Sequence, residues 1–84
     1  MRVSIAASTY VESATFPHIV HIFTGEGPTW RKAHAQANAL LQLHRKADAV
    51  FHAATSSRVS RGVFFGEIKG VRCKTTVRVS KHKE

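Results

Sequence analysis

The chain has 84 residues, 43% of them hydrophobic, and carries thirteen lysines and arginines against five acidic residues, for a formal net charge of +8 at pH 7. The hydrophobic content argues against disorder, while the length predicts one domain, residues 1–84, with a core too small for an elaborate buried active site. The charge is uneven, because residues 31–84 hold twelve of the thirteen basic side chains and three of the acidic ones. We therefore expect an anionic partner to meet the second part of the chain.

The cellular compartment is suggested by cysteine content and by the N-terminal residues. The single cysteine, Cys73, cannot form an internal disulfide, which is typical of proteins from a reducing compartment. Ser4 and Ser8 interrupt the stretch MRVSIAAS before it reaches the length of a signal-peptide core, and no apolar run is long enough to span a bilayer. The sequence therefore predicts a cytoplasmic protein with no membrane partner.

Two strands are predicted ahead of the first helix. In RVSIAAS, larger apolar residues alternate with small or polar ones, the period-two pattern of a half-buried strand over residues 2–8. The β-branched and aromatic run HIVHIF predicts a second strand over residues 18–23. The segment TGEGPT then ends this strand, with its proline suited to the first position of a helix because it has no amide hydrogen.

The stretch from Pro28 to about Lys46 predicts an amphipathic helix. Steps of three and four residues give an apolar stripe of Trp30, Ala33, Ala37, Leu40, Leu41, His44 and Ala47. The opposite side is basic and offers a secondary partner face made of Arg31, Lys32, Arg45 and Lys46. The following segment, ADAVFHAAT, fits either a ragged helical extension or a short strand, and the interpretation favoured is a strand over residues 49–54.

The clearest pattern lies at the C-terminal end, where residues 71–79 alternate between apolar and cationic side chains. A second strand over residues 63–68 precedes it, and Lys69-Gly70 is suited to a two-residue hairpin turn. The register then places Phe65 opposite Lys74. The fold class predicted is α+β: a mainly antiparallel sheet of four or five strands with one amphipathic helix on one face, in the order β-β-α-(β)-β-β.

This register buries Phe64 and leaves a basic face that carries an aromatic residue. Such faces are common in nucleic-acid-binding sheets, since cations neutralise phosphates and aromatic rings stack on bases. The predicted contact residues, for DNA or RNA or another partner, are Arg61, Phe65, Arg72, Lys74 and Arg78, helped by Arg58 and Lys69. The centre is predicted at Phe65, Lys74 and Arg78, because Glu67 lies opposite Arg72 and partly neutralises it.

Two other interpretations of this face stay open. The row of cations is also typical of a solvated face or of edge protection, with Phe65 covered by another strand, by the N-terminal segment or by a second copy of the chain in a homodimer. A second function class is an inhibitor or adaptor that docks on an acidic protein or a nucleoprotein complex. In size and plain architecture alone, the chain is similar to small inhibitors of phage and mobile elements, including anti-CRISPR proteins.

Neither catalysis nor metal or cofactor binding is predicted. Six histidines are present, but His18 and His21 should point to opposite faces of a strand, and the others are scattered without the cysteines or carboxylates that complete a site. His44 lies in the apolar stripe with Asp48 one helical turn later, so a contact between the two is expected if the helix extends that far. With no nucleophile, base or metal set evident among the acidic residues and histidines, we expect a protein that is not an enzyme.

Overall fold

The computed structural model describes the backbone of residues 1–56 and 58–82, and the side chains of these residues other than 58–60. The chain forms, in order, β1 (Arg2–Val11), β2 (Ile19–Glu26), α1 (Trp30–Ala47), α2 (Ala49–Thr55), β3 (Arg58–Ser60), β4 (Val63–Ile68) and β5 (Val71–His82). The strands make an antiparallel sheet in the order β2-β1-β5-β4-β3, with the helices on one face. The predicted α+β class and mainly antiparallel sheet are confirmed.

The β4–β5 hairpin has the predicted register, with Ile68 opposite Val71 and Phe65 opposite Lys74. Its turn residues, Lys69 and Gly70, have φ values of 52° and 79°. A two-residue turn with both φ values positive has a twist that matches the strands it joins, which explains why glycine stands here. The same geometry recurs between β3 and β4, where the tight turn at residues 61–62 was not predicted.

The two faces of the sheet are assigned as the hairpin register predicts. Phe64 is 6% exposed beneath the helices, whereas its neighbour Phe65 is 39% exposed on the opposite face. In the centre of the sheet, Ile5 and Ala7 of β1 join the buried cluster with residues of β2 and both helices. A shift of one residue would have exchanged the faces, so burial of Phe64 confirms the register.

Helix α1 begins at Trp30, two residues later than predicted. Thr29 is the N-cap, and its hydroxyl oxygen accepts a hydrogen bond from the Lys32 amide at 3.3 Å. Pro28 therefore lies just ahead of the helix and not at its first position. The helix approaches β2 closely at Gly25, where an added Cβ would lie 2.1 Å from the backbone oxygen of Ala33.

The strand predicted over residues 49–54 is wrong, because these residues lie in the second helix, α2. Asp48 separates the helices: its backbone is extended, and its carboxylate accepts a hydrogen bond from the Phe51 amide at 2.8 Å. A capping aspartate both ends α1 and starts α2. Phe51, Ala54 and Thr55 then share one helical face and are buried. Beside them, an added Cβ at Gly66 of β4 would lie 2.2 Å from the Ala53 backbone oxygen, so α2 packs closely against β4 at this glycine.

The first two strands are longer than predicted, and their ends lie at different residues. The strand expected over residues 2–8 runs to Val11, while the second runs over Ile19–Glu26. His18 therefore precedes the strand in which it was expected. Among the described residues, no helix combines the length and the apolar character needed to cross a lipid bilayer.

Candidate functional site

The sheet face opposite the helices carries a row of side chains that alternates aromatic and cationic groups. Tyr10 of β1 pairs with Lys74 of β5, Lys74 pairs with Phe65 of β4, and Phe65 pairs with Arg58 of β3. Direct partners in antiparallel strands project to the same face, with Cβ atoms about 5 Å apart. The side chain of Arg58 lies outside the described part of the chain. The three described members of this row, Tyr10, Lys74 and Phe65, are called the aromatic-cation row.

Lys74 lies at the centre of the aromatic-cation row. Its ammonium nitrogen is 6.0 Å from the centre of the Tyr10 ring, within the range of a cation–π contact. Tyr10 is half-buried, and Phe65 and Lys74 are exposed. An exposed pairing of this kind contributes about 0.5–1 kcal/mol, so the ammonium is oriented without being withdrawn from solvent. The row therefore offers one cation and two rings to a partner.

A depression of about 470 Å³ adjoins the row. It is lined by Glu12, Ser13, Phe65, Arg72, Cys73 and Lys74. A smaller depression, of about 210 Å³, shares Phe65 and Arg72 and extends toward Gly66 and Glu67. The volume of the larger depression lies within the range of about 300–1,000 Å³ that is usual for small-molecule and cofactor sites. Phe65 therefore lines both depressions.

The remaining predicted cations of this face differ in their surroundings. Arg72 lies opposite Glu67, as the register predicted, and Arg78 lies opposite Ala6. Arg78 and Lys74 are four residues apart on the same side of one strand, or about 13 Å. Arg78 therefore has a small neighbour on β1, whereas Lys74 lies between two aromatic rings.

Arg61 and Lys69 lie in the two tight turns that border β4, each with a positive φ. The last pair of the β4–β5 ladder is Val63 with Thr76, and beyond it the Val77 amide donates a hydrogen bond to the Gly62 carbonyl at 3.0 Å. Arg61 is thus in a turn and not in the strand. Both turn residues are exposed at the ends of the face, where they extend its positive charge.

The secondary partner face on α1 is not continuous. Arg31, Lys32 and Lys46 are exposed as predicted, but Arg45 is half-buried. The Arg45 guanidinium lies 4.5 Å from the centre of the Phe64 ring. It also donates to the Thr55 hydroxyl at 3.1 Å, to the Thr55 carbonyl at 3.0 Å and to Gln42 at 3.1 Å. Arg45 therefore ties α1 to α2 and to β4.

On the helix side of the sheet, His21, His44 and Asp48 converge. Their ligand-type atoms all lie within 4.8 Å of one another, and His44 Nε2 is 3.7 Å from Asp48 Oδ2. The contact between His44 and Asp48 was expected from their spacing. His21 was not expected to join them, since the sequence showed no acidic residue converging with two histidines, and the structure corrects this.

The surroundings of His21 and Asp48 favour a neutral His21 imidazole and an ionised Asp48 carboxylate. Burial lowers the pKa of His21 below its usual value and neighbouring His44 lowers it further, with Asp48 acting in the opposite direction. The hydrogen bond from the Phe51 amide holds the pKa of Asp48 below its ordinary value. A neutral His21 ring and a negatively charged Asp48 carboxylate therefore lie close to His44.

Sequence reasoning missed Tyr10 and His21 as members of these sites. Tyr10 lies past the end of the strand predicted over residues 2–8, because the adjacent polar residues Ser8 and Thr9 interrupt the alternation, whereas the observed strand runs to Val11. His21 shares one face of β2 with Ile19 and Phe23, a spacing of two that marks it as pointing toward the helices.

Comparison of the chain with protein-family models, with curated proteins and with solved structures finds no match. The function is therefore inferred from the geometry of these residues and from their physical chemistry.

Proposed function

We propose that this protein is a small, non-catalytic module that binds nucleic acid through the sheet face opposite its helices. The observation that carries the proposal is the aromatic-cation row, in which Lys74 lies between Tyr10 and Phe65 across three adjacent strands. The partner favoured is a single strand, because the rings of an open sheet can stack only on bases that are not already paired.

The charge of the face supports an anionic partner. Lys74 and Arg78 rise from one strand, and Arg72 adds a third cation whose partner in register is Glu67. With a net charge of +8 over the chain, the field should draw a polyanion toward this side. Lysine and arginine would neutralise phosphates, while Phe65 supplies an apolar surface that a base can cover.

The absence of catalysis is part of the proposal. The Ser4 hydroxyl contacts His82 Nε2 at 2.6 Å, which is the spacing of a nucleophile and its base. Ser4 is only 9% exposed, however, and the same hydroxyl contacts Thr24 at 2.9 Å. The Ser4 hydroxyl thus links β2 to β5, which is the role of a structural contact. We take the Ser4–His82 pair to be structural.

We also place the module in the cytoplasm, because its single cysteine, Cys73, is a buried free thiol.

A salt titration tests the proposal. A labelled single-stranded oligonucleotide and a duplex of the same sequence are each titrated with the protein, and affinity is measured by fluorescence anisotropy between about 50 and 200 mM salt. We expect tighter binding to the single strand, with log affinity falling linearly against log salt at about −0.7 per phosphate contacted. No detectable binding of DNA or RNA at low salt would exclude this function.

A protein partner is the second candidate, and one observation favours it. Val20 and Ile22 of the edge strand β2 are 49% and 67% exposed on the same sheet face, where they add apolar surface that phosphates do not use. An inhibitor or adaptor that docks on an acidic protein or nucleoprotein complex would bury both these residues and the cations. In that case binding to free oligonucleotides fails, while Ile22→Ser and Lys74→Glu both weaken binding to the protein partner.

A further inference from the structure

We propose that His21, His44 and Asp48 form a binding site for one divalent transition-metal ion of the zinc type, on the helix side of the sheet. The three residues come from β2, from the last turn of α1 and from the junction between the helices. Their ligand-type atoms lie within 4.8 Å of one another. None belongs to the aromatic-cation row, so this site is independent of the nucleic-acid proposal.

Two imidazole nitrogens in this group lack the hydrogen bonds that buried polar atoms normally make. His21 Nδ1 and His44 Nε2 are both buried, and neither has a hydrogen-bond partner among the described residues. His44 Nε2 is 3.7 Å from Asp48 Oδ2, which is beyond hydrogen-bond range. Most buried polar atoms in folded proteins are satisfied, so two unsatisfied nitrogens in one cluster point to a missing ligand. A metal ion bound to both lone pairs would satisfy them together.

The carboxylate of Asp48 is oriented for this role by its capping contacts. One oxygen, Oδ1, accepts a hydrogen bond from the Phe51 amide at 2.8 Å. The backbone amide of Asp48 donates to the His44 carbonyl at 2.9 Å. These contacts hold Asp48 in place, and its other carboxylate oxygen, Oδ2, is the one closer to His44 Nε2. Ligating carboxylates in metal sites are held by hydrogen bonds of the same kind.

The surroundings are apolar and leave one side open. The ring of Phe51 lies 4.7 Å from that of His21 and 5.2 Å from that of His44, and the Phe23 ring lies 5.4 Å from that of His44. The side chains of His44 and Asp48 are 32% and 37% exposed, so an ion can enter and water can complete its coordination. Phe23 and Phe51 form a hydrophobic shell that limits solvent access on their side of the site.

The donor set selects the metal class. Two imidazoles and one carboxylate suit zinc, whereas calcium and magnesium prefer oxygen ligands alone. Tetrahedral coordination with bonds of about 2.0–2.2 Å separates neighbouring ligand atoms by about 3.3–3.6 Å. The distance of 3.7 Å between His44 Nε2 and Asp48 Oδ2 is already close to this value. The wider gaps in the group, up to 4.8 Å, must close by about 1 Å when the ion binds.

Zinc titration of the full chain tests the site. Metal-free protein is titrated with Zn²⁺ alone in competition with a chromophoric chelator, and we expect one ion per chain. His21→Ala and His44→Ala should each weaken zinc binding by at least about 100-fold, the upper end for loss of an outer-shell partner. Asp48→Asn should weaken it by at least about tenfold, because asparagine keeps the helix cap but removes the charged ligand. His34→Ala and His52→Ala, controls on α1 and α2, should leave the affinity unchanged.

A measurement on the unmodified chain keeps the test valid if a histidine variant does not fold. Nitrogen-detected NMR of the imidazole rings should show His21 Nδ1 and His44 Nε2 shifting with one equivalent of Zn²⁺, while the rings of His34 and His52 stay unchanged. The proposal is overturned if Zn²⁺ does not bind. It is equally overturned if His34→Ala or His52→Ala weakens binding as much as His21→Ala does, or if the shifts occur at other histidines.

Discussion

Lys74 and Phe65 lie directly opposite each other on β5 and β4, on the face of the sheet that neither helix covers. On the other side of Lys74, Tyr10 holds the same position on β1, with its ring centre 6.0 Å from the ammonium nitrogen. This arrangement depends on a strand order that places β5 between β1 and β4. A cation flanked by two rings is a defined target for substitution, and the first prediction rests on it.

Removing the ring at position 65 should weaken binding to a single-stranded oligonucleotide. Phe65→Leu keeps an apolar side chain but cannot stack on a base, which is worth about 1–3 kcal/mol per base, or roughly a 5- to 150-fold loss of affinity. Phe65→Tyr keeps the ring and should bind nearly as well as the unmodified protein. Anisotropy titrations at one salt concentration provide the measurement. Equal affinities for Phe65→Leu and Phe65→Tyr would remove Phe65 from the interface.

Reversing the charge at position 74 should weaken binding and flatten its salt dependence. Lys74→Glu removes a phosphate contact, so the slope of log affinity against log salt should fall by about 1. Lys32→Glu is the matched control, because Lys32 is exposed on α1 and the variant has the same net charge. If both variants lose affinity equally, only the net charge of the chain matters and the sheet face is not the binding site.

Phe64 and Phe65 should differ sharply in their contribution to stability. Phe64→Ala removes a ring that is 6% exposed beneath the helices, which should lower the free energy of unfolding by about 3–5 kcal/mol. Phe65→Ala removes a ring that is 39% exposed on the face without helices and should cost about 1 kcal/mol or less. Urea denaturation followed by circular dichroism measures both. Similar losses in the two variants would contradict the assignment of the sheet faces.

Arg45 should behave as a structural residue and not as a surface cation. Arg45→Lys keeps the charge but loses the planar fork that reaches Thr55 and the stacking over Phe64, so we expect a loss of about 1–2 kcal/mol in the free energy of unfolding. Arg31→Lys, the same change at an exposed position of α1, should stay within about 0.5 kcal/mol. Thermal and urea unfolding give both values, and an unaffected Arg45→Lys variant would show that these contacts carry little energy.

Two glycines should respond to alanine for different physical reasons. At Gly66 the added Cβ meets the Ala53 oxygen at 2.2 Å, so α2 must move away from β4, and we expect a loss of about 3 kcal/mol or more. At Gly70 nothing lies within 4 Å of the added Cβ, and the cost comes from φ at +79°, about 1–2 kcal/mol. Urea midpoints rank the two variants. A Gly66→Ala variant as stable as Gly70→Ala would show that the helix can shift freely.

Local sequence patterns determined much of the fold, because they act between residues that are neighbours in the chain. Alternation over residues 71–79 and the turn at Lys69-Gly70 predicted the hairpin, its register and the exposure of Phe65. Periodicity of three and four residues predicted α1. The same reasoning failed for α2, whose seven residues are too few for a clear period and whose start depends on the Asp48 cap.

Tertiary structure alone decided which distant residues meet. Tyr10 joins Lys74 because β1 lies beside β5, a strand order that no local pattern specifies. His21 reaches His44 because α1 crosses β2 closely at Gly25, where a side chain would collide with helix backbone. Periodicity shows which face of an element is apolar, but contacts between elements depend on how those faces pack. Both proposed sites depend on such contacts between elements, so local sequence patterns do not predict which residues come together in them.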